Sequence, residues 1–233
     1  MTNDRGTLQL DVSRQQVIAL GGCLLAVECC LAAAYFSLVY TQAPLWIFRT
    51  WFNMTAEGNI PTWFSSTQLF FVFLVVAYCA LREQANARMA VWRNGWWPVA
   101  GLFLYLSLDE TGQIHDRLSN WVNRRVTLPS FEPSGYYWLL FLLPFMLFAV
   151  VYLAAFLWRR MRSRPRLLLL GMAGLACWIL VPVGEWFEGF HKLPWWGELL
   201  EHTAEETLEM VGATCFLLVF LRYAMTLPIR VRK

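Results

Sequence analysis

Apolar residues run along this chain in long blocks separated by short polar segments. The pattern is neither the strict alternation of half-buried strands nor the narrow stripe of a soluble amphipathic helix. Six blocks stand out: Val17–Tyr40, Thr62–Leu81, Trp96–Leu118, Tyr136–Trp158, Leu167–Phe187 and Thr203–Tyr223. Each matches the ~20 residues that cross ~30 Å of hydrocarbon. A helix satisfies its own backbone groups within lipid, so each block predicts a transmembrane helix. The expected fold is an all-α polytopic membrane bundle of about six helices, forming one domain over residues 1–233.

Proline and tryptophan mark the boundaries. Pro61, Pro98 and Pro165 sit at span starts, where a missing N–H costs nothing. Pro144 and Pro182 lie inside spans as sites of kinking, and Pro194 stops any helix continuing from the fifth span. Trp46, Trp51, Trp63, Trp96-Trp97 and Trp195-Trp196 suit the headgroup belt, and residues 43–55 read as a short segment lying along the interface. The first apolar run has 24 residues, whereas a signal peptide's apolar core has about 7 to 15, so this run is expected to stay in the membrane.

Composition strengthens that picture. Hydrophobic residues make up 58% of the 233 and charged residues 15%, which excludes disorder and an ordinary soluble enzyme. A net charge of +3 gives no reason to expect nucleic acid as a partner. All six cysteines lie in apolar blocks and read as small buried hydrophobes. With the N-terminus in the cytoplasm, the outer segments hold only Arg49, Arg117, Arg124, Arg125 and Lys192 of the 19 basic residues. This positive-inside bias predicts that both termini are cytoplasmic. The run Arg159–Arg166 reads as a solvated loop near anionic headgroups.

The acids do the reverse. Of the 16, only Asp4, Asp11, Glu28 and Glu83 lie away from the outer side, and His115, His191 and His202 are all outside as well. Ionisable groups within a bilayer are costly and usually functional. In the sixth span, Glu198, His202, Glu205 and Glu209 fall on one helical face, with Glu201 and Glu206 beside it. Carboxylates this close need protons or a cation between them, although a solvated helix start also attracts acids. In the third span, Asp109, Gln113 and Asp116 share a face, Glu110 lies beside it, and His115 points elsewhere. The fifth span ends with Glu185 and with Glu188-Gly-Phe-His191, a single E-x-x-H spacing. Glu28, inside the first span, must be protonated or paired with another helix. Glu57, Asn59, Ser65 and Ser66 stand level with the acids, and the serines read either as helix packing or as site residues.

Three segments taken together resemble a family of uncharacterised bacterial integral membrane proteins: N-I-P-T-W-F-S-S at 59–66, S-L-D-E-x-x-x-I-H-D at 107–116 and E-E-T-L-E-M-x-G at 205–212. That resemblance implies a multi-pass protein of the bacterial inner membrane and no particular reaction. The chain is also weakly similar to the ceramidase and adiponectin-receptor type of membrane hydrolase. There Glu57, Asn59, Ser65 or Ser66, Asp109 and the three histidines imply a zinc site.

Three functions are then open. One is a metal-dependent hydrolase of a lipid or amphiphile, with Asp109, Glu110 and Glu205 as catalytic carboxylates. Its ligands to Zn, Fe or Mn would be drawn from His115, His191, His202, Glu188, Glu206 and Glu209. The second is a cation- or proton-coupled transporter or channel, with Glu28 and the outer acids forming the path. The third is a non-catalytic subunit of a membrane complex, with lipids, a partner protein or a second copy as its contacts.

Overall fold

The computed structural model describes residues 13–42, 44–84, 95–125, 137–188 and 193–227. Within these, all regular structure is helical: α1 (Arg14–Tyr40), α2 (Trp46–Trp51), α3 (Ile60–Gln84), α4 (Trp96–Gly112), α5 (Ile114–Arg125), α6 (Tyr137–Met161), α7 (Pro165–Glu188) and α8 (Trp195–Ala224). Five of these helices, α1, α3, α6, α7 and α8, are long and apolar enough to cross a membrane.

The third expected span departs from its sequence reading. α4 has 17 residues, a length of about 25 Å, and ends where Gln113 adopts a left-handed φ of 53°. A residue in that conformation terminates a helix. Residues 114–125 form a separate amphipathic helix, and Arg125 stacks over Trp121 at 4.4 Å. The sixth span begins eight residues earlier than its apolar block, because Pro194, extended at ψ 155°, opens α8 at Trp195. Asn59 caps α3: its Oδ1 accepts from the Thr62 backbone N–H at 3.1 Å and from the Thr62 hydroxyl at 3.2 Å. Within residues 44–55 a short helix, α2, forms with Trp46 and Trp51 exposed.

α8 packs on α1, α3 and α7, while α3 packs on α4 and α6 on α7. Small residues bring α7 and α8 close. A Cβ at Gly212 would lie 2.4 Å from Trp178 Cδ1, and one at Gly174 would lie 2.9 Å from Cys215 Cβ. Such close approach is what holds helices together in lipid. Towards the end of the bundle where α4 begins, Trp96, Phe103, Phe156, Phe216 and Phe220 form an interlocked aromatic core, with Trp96 and Phe156 4.7 Å apart. A smaller cluster of Leu31, Tyr35, Met54, Leu199 and Met210 lies under the opposite, acid-bearing end.

Two sequence expectations hold only in part. Only Cys79 is fully buried, while Cys23, Cys29 and Cys30 are exposed on α1. A surface facing lipid accepts an apolar thiol as readily as a core does. The expected solvated loop at Arg159–Arg166 is cut short, since α6 continues to Met161 and α7 starts at Pro165, while Arg159, Arg162 and Arg166 stay exposed. Arg160 is buried against Glu83, with both side chains 6% exposed, and the Tyr223 hydroxyl donates to the same carboxylate.

Candidate functional site

The break between α4 and α5 creates the central feature of the acid-bearing end. A continuous helix would point Asp109 and His115 apart. The left-handed turn at Gln113 instead folds the chain back on itself, with the Gln113 N–H donating to the Asp109 carbonyl at 2.7 Å. The Asp109 carboxylate then receives the His115 backbone N–H at 2.7 Å and meets His115 Nδ1 at 2.9 Å. The expectation that His115 points elsewhere is therefore corrected. A carboxylate at this distance favours a proton on Nδ1 and holds the ring in place. Asp109 is thereby committed to orienting the imidazole, which argues against the role of general base.

Asp109 and His115 line a cavity of about 200 Å³ together with Ser65, Glu110 and Glu209. Its remaining walls include Leu106, Met146, Trp178 and Pro182. Glu110 is hydrogen-bonded to Ser65 and feels the charges of Glu57, His115 and Asp109. Glu206 lies within electrostatic reach of Glu209, Glu110, Glu205 and Glu57. Carboxylates from the segment before α3, from α4 and from α8 thus converge beside one imidazole. Glu57 also borders a second cavity, of about 420 Å³, between α1, α2 and that segment.

The serines divide. Ser66 pairs with Ser107 of α4, each hydroxyl donating to the other's backbone carbonyl at 2.8 and 2.9 Å. Ser66 therefore packs helices, and Ser65 belongs to the cavity. Asn59 is occupied by the α3 cap and by the carbonyls of Asn53 and Ala56, a structural role. On α8, the nearest carboxylate oxygens of Glu201 and Glu205 lie 3.6 and 3.8 Å from His202 Nδ1. Ligand atoms of these three residues all lie within 4.8 Å of one another. His202 is not among the residues lining the Asp109–His115 cavity.

Glu28 is fully buried, away from both groups. Gln68 Nε2 of α3 donates to its Oε1 at 2.8 Å and the Thr214 hydroxyl of α8 donates at 2.6 Å. The expectation of pairing with another helix holds, and the pairing involves two. His191 lies outside the described residues, as do the side chains of Asp116, Glu185 and Glu188.

Sequence reading missed three participants. Tyr35 on α1 lies within electrostatic reach of Glu206, and its signal was its place seven residues after Glu28. Trp178 donates its indole N–H to the Glu209 carbonyl at 3.1 Å, and Met146 comes from α6. Neither of these last two carried a polar signature.

A family model described as a domain of unknown function, DUF8692, matches residues 19–224. No curated protein and no solved structure matches the chain.

Proposed function

The chain thus belongs to the DUF8692 family, and we propose that it is a membrane-embedded, metal-dependent hydrolase of a lipid or other amphiphile. The observation that carries this reading is the Asp109–His115 pair in the wall of a cavity where Glu110 and Glu209 also converge. A metal-ligating histidine characteristically donates its other ring N–H to a carboxylate, which fixes the tautomer and sharpens its basicity. His115 has its Nδ1 against such a carboxylate, and Glu110 and Glu209 line the same cavity as the anionic ligands we assign to the ion. A mixed N and O donor set suits Zn, Fe or Mn. Such an ion would lower the pKa of its water towards neutrality. Glu206, beside Glu209 and Glu110, is placed to take the proton that water gives up. The cavity is too small for a whole lipid and suits a polar headgroup linkage, with Leu106, Met146 and Pro182 contacting the apolar portion.

The Arg and Lys asymmetry supports a bacterial inner membrane location, with this cavity opening to the periplasm. Proton- or cation-coupled transport draws support from Glu28. Against a path through the protein, the aromatic core of Trp96, Phe103, Phe216 and Phe220 fills the space at the opposite end.

Elemental analysis of the purified protein tests the proposal, beside His115→Ala and Glu209→Gln. About one Zn, Fe or Mn per chain is expected, lost in both variants, together with turnover of an amphiphilic ester that fails in the same variants. Metal-free wild-type protein after growth with all three metals supplied would remove the basis of this reading.

A further inference from the structure

At the arginine-bearing end, away from the Asp109–His115 cavity, α1 and α7 each pack on α8. A cavity of about 510 Å³ opens there, lined by Arg14, Arg164, Arg166 and Arg222, with no acid among its described lining residues. The first turns of α1 and α7 both begin at this cavity, so two helix N-termini add their positive ends to four guanidinium groups. Arg164 Nη1 is buried without a hydrogen-bond partner, while the rest of that guanidinium lies over the Tyr223 ring at 5.0 Å. A buried, unsatisfied charged donor calls for an acceptor. The other walls are apolar. Ile18 is 62% exposed beside the arginines, Leu167 and Leu170 continue the surface along α7, and Leu218 closes the far end where it meets Gly21.

We propose that this groove binds an anionic phospholipid, its phosphate held by the four arginines and its acyl chain lying along the apolar wall of α1 and α7. Guanidinium groups recognise phosphate oxygens in bidentate fashion, and basic pockets between transmembrane helices suit anionic headgroups. Free phosphate would use the same arginines but would leave the exposed Ile18 and half-buried Leu170 uncovered. This inference is independent of the metal reading, since it uses none of the same residues.

The full chain, purified in a neutral detergent, is titrated with dioleoylphosphatidylglycerol, dioleoylphosphatidylethanolamine or inorganic phosphate, and bound lipid is counted by native mass spectrometry. Phosphatidylglycerol is expected to bind at least about tenfold more tightly than phosphatidylethanolamine, and Arg166→Gln/Arg222→Gln to weaken it about 30-fold. Arg124→Gln/Arg125→Gln, on α5, should leave binding unchanged. Arg14→Gln/Arg166→Gln serves as a second test should the first pair shift the lipid-free unfolding midpoint. Retention of wild-type affinity in a folded variant overturns the proposal. So does displacement of the lipid by an equal concentration of inorganic phosphate, which would assign the groove to the free anion.

Discussion

Replacing Arg160 by alanine should be among the most damaging single changes in this protein. The Arg160 and Glu83 side chains are each 6% exposed, and they tie α6 to α3. Tyr223 of α8 donates its hydroxyl to the same carboxylate, and the guanidinium carbon lies 5.4 Å from the Trp96 ring centre and 5.9 Å from that of Phe156. Arg160→Ala strips the carboxylate of its cation while leaving it buried. Breaking a buried pair from one side costs about 3–5 kcal/mol, and the lost cation–π contacts fall within that range. Removing both charges with Glu83→Gln/Arg160→Met keeps the volume and leaves no orphan ion. The double variant should therefore lose only about 1 kcal/mol, less than either single change alone. Reversible unfolding in mixed micelles, followed by tryptophan fluorescence, measures wild type, Glu83→Gln, Arg160→Met and the double variant as the four corners of the cycle, with Arg160→Ala beside them. Singles whose costs simply add in the double variant would refute the reasoning, because they would mean that neither charge depends on the other.

Three further outcomes follow from other contacts. Glu28→Gln preserves an acceptor for Gln68 and Thr214 and should stay within about 1 kcal/mol of wild type, whereas Glu28→Leu strands the Thr214 hydroxyl, leaves Gln68 only its 2.8 Å bond to Thr214, and should cost about 1–3 kcal/mol in the same unfolding assay. Gly212→Ala must move Trp178, which a Cβ would meet at 2.4 Å. A loss of about 1–3 kcal/mol is expected, with a changed tryptophan emission, and an unaltered spectrum would show that the helices part instead. Asp109→Asn should weaken metal binding about 10- to 100-fold by calorimetry, because it disturbs the His115 tautomer; unchanged affinity would mean that Asp109 does not govern that ring.

Five of the six expected spans were legible because hydropathy alone dictates that a long apolar block buries itself in lipid. The site was legible only as a set of residues. Asp109, Glu110, Ser65 and Glu209 could be named from their unusual depth, but helical periodicity separated His115 from Asp109. The reason is local: Gln113 takes a left-handed conformation that favours glycine, although Gly112 stands immediately before it in the sequence. Nothing in the pattern shows which of two adjacent residues will carry the turn. Arg160 was misread for a related reason. A cluster of arginines looks solvated until a single acid, Glu83, is found 77 residues away on another helix. Long-range pairs of this kind leave no periodic trace.

The arrangement of the spans follows a rule that ties fold to function. α8 has the lowest mean hydropathy of the five long helices, 1.4, and 61% of its apolar window is buried within the protein. α3 is intermediate at 1.9 and 44%, whereas α1, α6 and α7, at 2.2 to 2.3, bury only 17 to 22%. A helix carrying Glu205, Glu206, Glu209 and Thr214 cannot face hydrocarbon, since each polar group would lose its solvent without gaining a partner. The more apolar helices therefore surround it, and α8 becomes the central element by exclusion. Once enclosed, it can hold acids at a depth where water is scarce and electrostatic interactions are strong. The same energetics that place α8 at the centre also gather Asp109, Glu110 and His115 around its first half, because α4 stops short of a full crossing and delivers its polar end to that level. A site in this protein has to be built on α8 and the end of α4, since those are the segments whose polarity the bundle is arranged to shield.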